Sequence, residues 1–313
     1  MRNPQNVPLN GMPARVRIYE VGPRDGLQNE STVLDVATKA EFVRRLVAAG
    51  LDTVELTSFV PAAWIPQLAD SEEPLALLGP MPGHHPVLVP NLRGLERAMA
   101  AGATEIAIFA SATESFAHKN LNRSVAESLR MFAPVVATAR DAGLAVRGYV
   151  SMCFGDPWEG SVPVEQVSAV STELDAMGCG EISLGDTIGV ATPGHVVALL
   201  SELGDRGLTP DCLAVHFHDT YGQALANTLV ALQHGVTTVD TSAGGLGGCP
   251  FAGSATGNLA TEDLIWQLHG LGIQTGVDLE ALCRTSVWMA AQLGRPSVSR
   301  TVAALASSLE SPA

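Results

Sequence analysis

His216-Phe217-His218-Asp219, continuing as Thr220-Tyr221-Gly222-Gln223-Ala224-Leu225-Ala226-Asn227, is the stretch on which the fold turns. Before it stands Cys212-Leu213-Ala214-Val215, apolar and partly β-branched; after it the sequence reads as the entry to a helix. On a strand, residues two apart project from the same face, so both imidazoles point one way. The C-terminal end of a strand, just before a helix, is where parallel α/β barrels and sheets keep their chemistry. Two imidazoles on one face suit a divalent metal, with oxygen ligands completing the shell. The bland alternative is two core or surface histidines meeting by chance. The strand-to-helix position favours the ligand reading.

Outward from this stretch the chain repeats one beat, strand then helix. Strand signals fall at 16–21, 53–57, 86–90, 105–110, 145–151, 181–184, 212–218 and 237–241. Helical patterns fall at 34–49, 92–101, 125–142, 164–177, 193–203 and 224–234, then from Thr261 and from Leu279. Gly50, Gly102 and Gly143 stand just past three of the helices, as C-terminal stops do. Eight alternating units imply parallel strands with right-handed crossovers. The count predicts a closed (β/α)8 TIM barrel with an extra C-terminal helical segment. No glycine-rich dinucleotide or phosphate-loop motif follows the first strand, against a Rossmann reading. A single domain over 1–313 is expected, with the barrel at about 15–276 and the helical segment at about 277–313. The stretches 57–71 and 111–123 read as long loops on the active face, a common place for binding residues.

Composition narrows the function classes. The chain has 313 residues, 46% hydrophobic, and a net charge of −14. Nucleic-acid binding is disfavoured, because phosphate contacts need clustered Lys and Arg. An anionic substrate stays open, since a metal or a few cations can reverse the sign within one cleft. Five cysteines and no CxxC pair suggest free thiols in a reducing compartment. No membrane-spanning run, signal peptide or lipidation address is read, so a soluble cytoplasmic protein without membrane partners is expected.

In a barrel the C-terminal strand ends share one rim, and here they carry polar residues. Strand one ends at Arg24-Asp25, strand two carries Glu55, and strand six ends at Asp186-Thr187. Strand seven brings His216 and His218; after strand eight come Gly244-Gly245-Leu246-Gly247-Gly248-Cys249-Pro250 and then Asn258. Each has a structural alternative: Asp186 as a helix cap, Glu55 as an ion-pair partner, Cys249 as a small turn residue. Their shared location raises the functional reading. Asp25, His216, His218 and an amide oxygen of Asn258 would form a two-nitrogen, mostly-oxygen site suited to Mg2+ or Mn2+. Arg24 can stabilise an oxyanion, and the glycine-rich segment can approach a ligand or close as a lid.

Several segments closely resemble 3-hydroxy-3-methylglutaryl-CoA lyases. They are Glu20 to Glu30 (EVGPRDGLQNE), Glu181 to Gly189 (EISLGDTIG), His216 to Asn227, and Gly244 to Pro250 (GGLGGCP) running into Gly257 to Asp263. The resemblance spans about Arg15 to Gly276. It implies cleavage of an acyl-CoA substrate, 3-hydroxy-3-methylglutaryl-CoA, to acetyl-CoA and acetoacetate on a TIM barrel carrying a divalent metal. It further implies Asp25, His216, His218 and Asn258 as metal ligands and Arg24 as the cation facing the enolate. Cys249 is implied as the loop cysteine of proton transfer, Glu55 and Asp186 as acidic residues around the site, and Gln28 as a polar substrate contact. A homodimer is also implied. The base that takes the hydroxyl proton stays open among Asp25, Asp186, Glu55 and a metal-bound water.

The sequence departs from the family pattern at Phe217, where Cys is usual, at His118, where Lys is common, and at Gly294-Arg295-Pro296, where an Asn-x-Lys contact to CoA is expected. A longer-chain 3-hydroxy-3-alkylglutaryl-CoA is therefore an alternative substrate. A condensing synthase of the same superfamily, a metal-binding protein without chemistry and a zinc hydrolase are the competing readings. The Cys249 loop, the intact rim set and the scarcity of thiol ligands argue against them in turn.

Overall fold

The computed structural model of the protein describes residues 3–61, 65–248 and 257–309. Among them, eight parallel strands form the barrel wall: β1 (Arg17–Glu20), β2 (Thr53–Val54), β3 (Val87–Leu88), β4 (Glu105–Ser111), β5 (Ala145–Ser151), β6 (Glu181–Asp186), β7 (Leu213–Phe217) and β8 (Thr238–Thr241). They pair in the order β2-β1-β8-β7-β6-β5-β4-β3. Backbone bonds close the remaining gap: Val54 N–H to His84 O (2.9 Å), Leu56 N–H to Pro86 O (3.0 Å) and Leu88 N–H to Thr57 O (3.0 Å). The pairing therefore continues past the short regular spans of β2 and β3, along the stretches the sequence marks as strands.

The described helices are α1 (Val36–Ala48), α2 (Glu72–Leu78), α3 (Leu92–Ala100), α4 (Glu114–Leu121), α5 (Val125–Asp141), α6 (Val164–Met177), α7 (Pro193–Asp205), α8 (Ala224–Gln233), α9 (Thr261–Gly270), α10 (Leu279–Leu293) and α11 (Arg300–Leu309). Local chemistry sets their ends. The Asp35 side chain accepts the Thr38 N–H at 2.7 Å, and Ser124 with Glu127 forms a reciprocal capping box on α5. The stretch 111–123, expected to be a loop, contains α4, which the left-handed Asn122 ends (φ 52°). Helix α10 packs against both α9 and α1, filling the ring between the last barrel helix and the first, and α11 lies on α9 and α10. No helix among the described residues is long and apolar enough to cross a membrane.

Two chemistries divide the two faces of the wall. Outward residues such as Ile18, Val54, Ile106, Ile108, Val150, Leu184, Val215, Phe217 and Val239 pack against the helices in one continuous core. The lumen is polar instead. Arg17, Tyr19, Arg147, Tyr149, Glu181, Ser183, His216 and Asp240 recur at alternate strand positions, and the register sets Tyr149 beside Ser183 and His216 beside Asp240. A smaller apolar group, Leu88, Ala107 and Tyr149 with Phe109, packs apart from the main core.

Candidate active site

The tight turn after β1 does the first positioning. The Val21 carbonyl accepts the N–H groups of Arg24, Asp25 and Gly26 at 3.1, 2.8 and 3.1 Å, so the chain folds back and both charged side chains reach the rim. Glu55 receives Arg24: its Oε2 accepts from Nε at 2.8 Å and Nη2 at 2.7 Å, and from the Tyr149 hydroxyl at 3.0 Å. Arg24 Nη1 donates to Asp25 Oδ1 at 2.7 Å, and the guanidinium lies 5.2 Å from the Tyr149 ring centre. Burial disfavours the Arg24 charge, but Glu55 and Asp25 outweigh it and hold the guanidinium firmly protonated.

Asp25, His216 and His218 offer one ligand atom each, all within 4.8 Å of one another. The two imidazole rings are 5.4 Å apart, and both border the cavity as their spacing predicts. Phe217, between them, turns into the core and packs near Phe154. Burial works against the charge of Asp25, yet Arg24 and the two histidines keep its carboxyl below the usual range. Asn258 joins from the far side: its strand-like segment pairs with His218, and its Nδ2 donates to Asp25 Oδ2 and the Leu246 carbonyl, each at 3.0 Å. Its Oδ1 is buried with no hydrogen-bond partner, which is the group a cation between these side chains would use. Gly247 makes the close approach possible. Its φ is +109°, and a Cβ there would stand 2.6 Å from the Asn258 amide nitrogen.

The cavity above has a volume of about 650 Å³. Arg24, Asp25, Gln28, His216 and His218 give it a polar side; Val60, Leu88, Phe109, Phe116 and Val150 give it an apolar one. Gln28 donates to Asp25 Oδ1 at 3.2 Å, and Asn29 to the Gly248 carbonyl at 2.6 Å, tying the first motif to the glycine-rich loop. Lys119 and Asn120 of α4 also border the cavity, with Lys119 4.6 Å from the Trp158 ring centre. The structure thus gathers Arg24, Asp25, Gln28, His216, His218 and Asn258.

Glu55 and Asp186 stand behind that group and do not border the cavity. Burial raises the Glu55 carboxyl, against the pull of Arg24. Asp186 accepts the N–H groups of Val190 (2.9 Å) and Ala191 (3.0 Å), so it shapes the β6–α7 loop rather than capping the helix itself. Burial pushes its carboxyl up to about 6, opposed by those N–H donors. Cys249 lies outside the described residues.

Sequence reasoning passed over Asp240, Arg147 and Tyr149. The signal was present: a charged or hydroxylated residue at every second position of strands that close a barrel must face the lumen. At Gly294-Arg295-Pro296, Arg295 Nε donates to Glu30 Oε2 at 2.9 Å, so the departure from the family pattern holds down the opening motif.

Known proteins resemble the chain over most of its length. A cytoplasmic 3-hydroxy-3-methylglutaryl-CoA lyase of Rattus norvegicus is 53% identical over 272 residues, covering 87% of this chain and 79% of its own. Curated relatives carry both cytoplasmic and mitochondrial names. A hydroxymethylglutaryl-CoA lyase structure from Pseudomonas aeruginosa, 47% identical, superposes with a TM-score of 0.92 and covers 95% of this chain and 99% of that one. An HMG-CoA lyase from Acinetobacter baumannii, in complex with coenzyme A and 3-methylmalate, is 33% identical with a TM-score of 0.88, covering 96% of each chain. The family model described as HMGL-like matches residues 15–288, and the chain belongs to that HMG-CoA lyase-like family.

Proposed function

We propose that the protein cleaves 3-hydroxy-3-methylglutaryl-CoA to acetyl-CoA and acetoacetate, with Asp25, His216, His218 and the Asn258 carbonyl oxygen holding Mg2+ or Mn2+. The observation that carries this reading is the convergence of Asp25, His216 and His218 beside the buried Arg24 on one side of a single cavity. A two-imidazole, oxygen-rich donor set, without thiolate among the described residues, suits those ions. Bound there, the ion would lower the pKa of the substrate's tertiary hydroxyl and anchor its carboxylate.

The residues divide the remaining work. The hydroxyl proton passes to a carboxylate base, for which Asp25 is the candidate that borders the cavity. The carbon–carbon bond opens, the hydroxyl carbon becomes the ketone of acetoacetate, and the bonding pair moves onto the thioester as an enolate. Arg24, held rigid by Glu55 and Asp25, meets the enolate oxygen. Cys249 protonates the enolate carbon to release acetyl-CoA. Glu55 acts through Arg24, Asp186 through the loop Thr187 to Ala191, and Gln28 keeps Asp25 oriented toward the substrate. The coenzyme A complex of the Acinetobacter baumannii relative supports an acyl-CoA here. A homodimer in the cytoplasm completes the reading.

The apolar wall of Val60, Leu88 and Phe109 supports a second substrate, a 3-hydroxy-3-alkylglutaryl-CoA with a longer alkyl group. Turnover of both thioesters under saturating Mn2+ separates the two. The first reading predicts the higher kcat/KM for the methyl compound, and a preference for the longer chain would replace it by the second.

A further inference from the structure

Beneath the proposed metal centre lies a carboxylate with no part yet in the chemistry. Asp240 is 1% exposed, on β8 directly beside His216 of β7 in the parallel register. Its two oxygens are used differently. Oδ1 takes Arg147 Nη2 at 2.5 Å; Oδ2 takes the Ser183 hydroxyl at 2.8 Å and meets His216 Nδ1 at 3.2 Å. Arg147 is itself fixed, by Glu181 at 3.1 Å and by a stack 3.7 Å over the Tyr19 ring centre.

We propose that Asp240 is the positioning residue of the metal centre, fixing His216 as the Nδ1–H tautomer with the Nε2 lone pair turned toward Asp25 and His218. The inference rests on the metal site proposed above. A carboxylate acceptor can bind the ring only through a protonated nitrogen, so the contact to Nδ1 leaves Nε2 as the ligand atom. The same bond fixes the plane of the ring. Arg147 makes this arrangement stable, because an unpaired buried carboxylate beside a metal site would be protonated or drawn into the coordination shell. Without Asp240 the imidazole would choose freely between tautomers and rotamers, and one ligand would have to be ordered at each binding event.

Two measurements on the full-length protein test this. In the metal-free wild type labelled with 15N-histidine, with the His216 resonances assigned through a His216→Gln variant, long-range 1H–15N spectra above the ring's titration should show Nδ1 protonated. Nε2 protonated instead overturns the proposal, whether or not Asp240→Asn folds. The second is Mn2+ titration calorimetry on wild type and Asp240→Asn. The variant should bind about 10–100-fold more weakly, the range that outer-shell partners of metal ligands command. Equal affinity in the two proteins overturns the proposal while leaving the metal site standing; a wild type that binds no Mn2+ removes the site and the proposal together.

Discussion

At the scale of single residues, Arg24 is held at the cavity rim by Glu55, Asp25 and the Tyr149 ring. It is 6% exposed and shared between Glu55 and Asp25, so its charge is fixed before substrate arrives. Arg24→Gln should lower kcat by about 10²–10³-fold, the usual effect of removing one preorganised donor to a developing oxyanion. Mn2+ binding should survive in that variant, and near-normal turnover would contradict the assignment. His218→Ala should weaken Mn2+ binding by more than about tenfold, as loss of a ligand costs at least as much as loss of its outer-shell partner; calorimetry showing unchanged affinity would remove it from the ligand set. The convergence of His216 and His218 was readable from sequence because an HxH step at a strand end leaves few geometric choices. Asp240 was not, because its meaning depends on the strand beside it. Glu55 and Asp186 were rightly placed near the rim by their strands, but only the fold shows them one layer behind the cavity.

Elements are held at the rim by buried carboxylates. Glu20 accepts the N–H groups of Gly22 and Ala243, both at 2.8 Å, and the Thr261 hydroxyl at 2.6 Å. Glu262 accepts the Gly244 N–H and the Ser286 hydroxyl, and so fixes the foot of the glycine-rich loop. Burial pushes Glu20 up to about 7 and Glu262 up to about 8, against the donors that favour the charge. Each native carboxyl therefore keeps its proton to a higher pH than in the unfolded chain. Its stabilising contribution is complete below about pH 4.5 and is lost as pH rises through the folded value. Urea unfolding from pH 5 to 8 should show stability falling, by about 1.4 kcal/mol per pH unit for each carboxyl still holding its proton. Glu262→Gln should flatten the upper part of that slope; an unchanged slope would contradict the assignment. At this scale the spans of most barrel helices were legible to within a few residues, because the terminal glycines mark their ends. Helices α2 and α4 were not: no helix was read between the second and third strands, and the polar sequence 114–121 carries weak periodicity with a left-handed stop at Asn122 that reads as a loop.

For the whole molecule, the barrel was legible in the strand-helix repeat, while the character of its lumen was not. The strands look apolar because their outward residues are. The inward ladder from Arg17 through Glu181 and Arg147 to Asp240 and His216 emerges only once neighbouring strands are in register. That ladder ends at the proposed metal centre, so occupancy should be felt by the whole fold. Mn2+ at about 100 times its Kd should raise unfolding stability by about 2.7 kcal/mol, and a chelator should reverse the gain; a melting temperature indifferent to Mn2+ would contradict a native-state site. The activity proposed for this rim is metal-assisted carbon–carbon cleavage of a glutaryl thioester. Its most direct test is product release from 3-hydroxy-3-methylglutaryl-CoA by metal-stripped protein, with and without added Mg2+ or Mn2+. Acetyl-CoA and acetoacetate should appear in equal amounts only when metal is restored; equal release without metal, or none with it, would exclude metal-assisted cleavage at this rim.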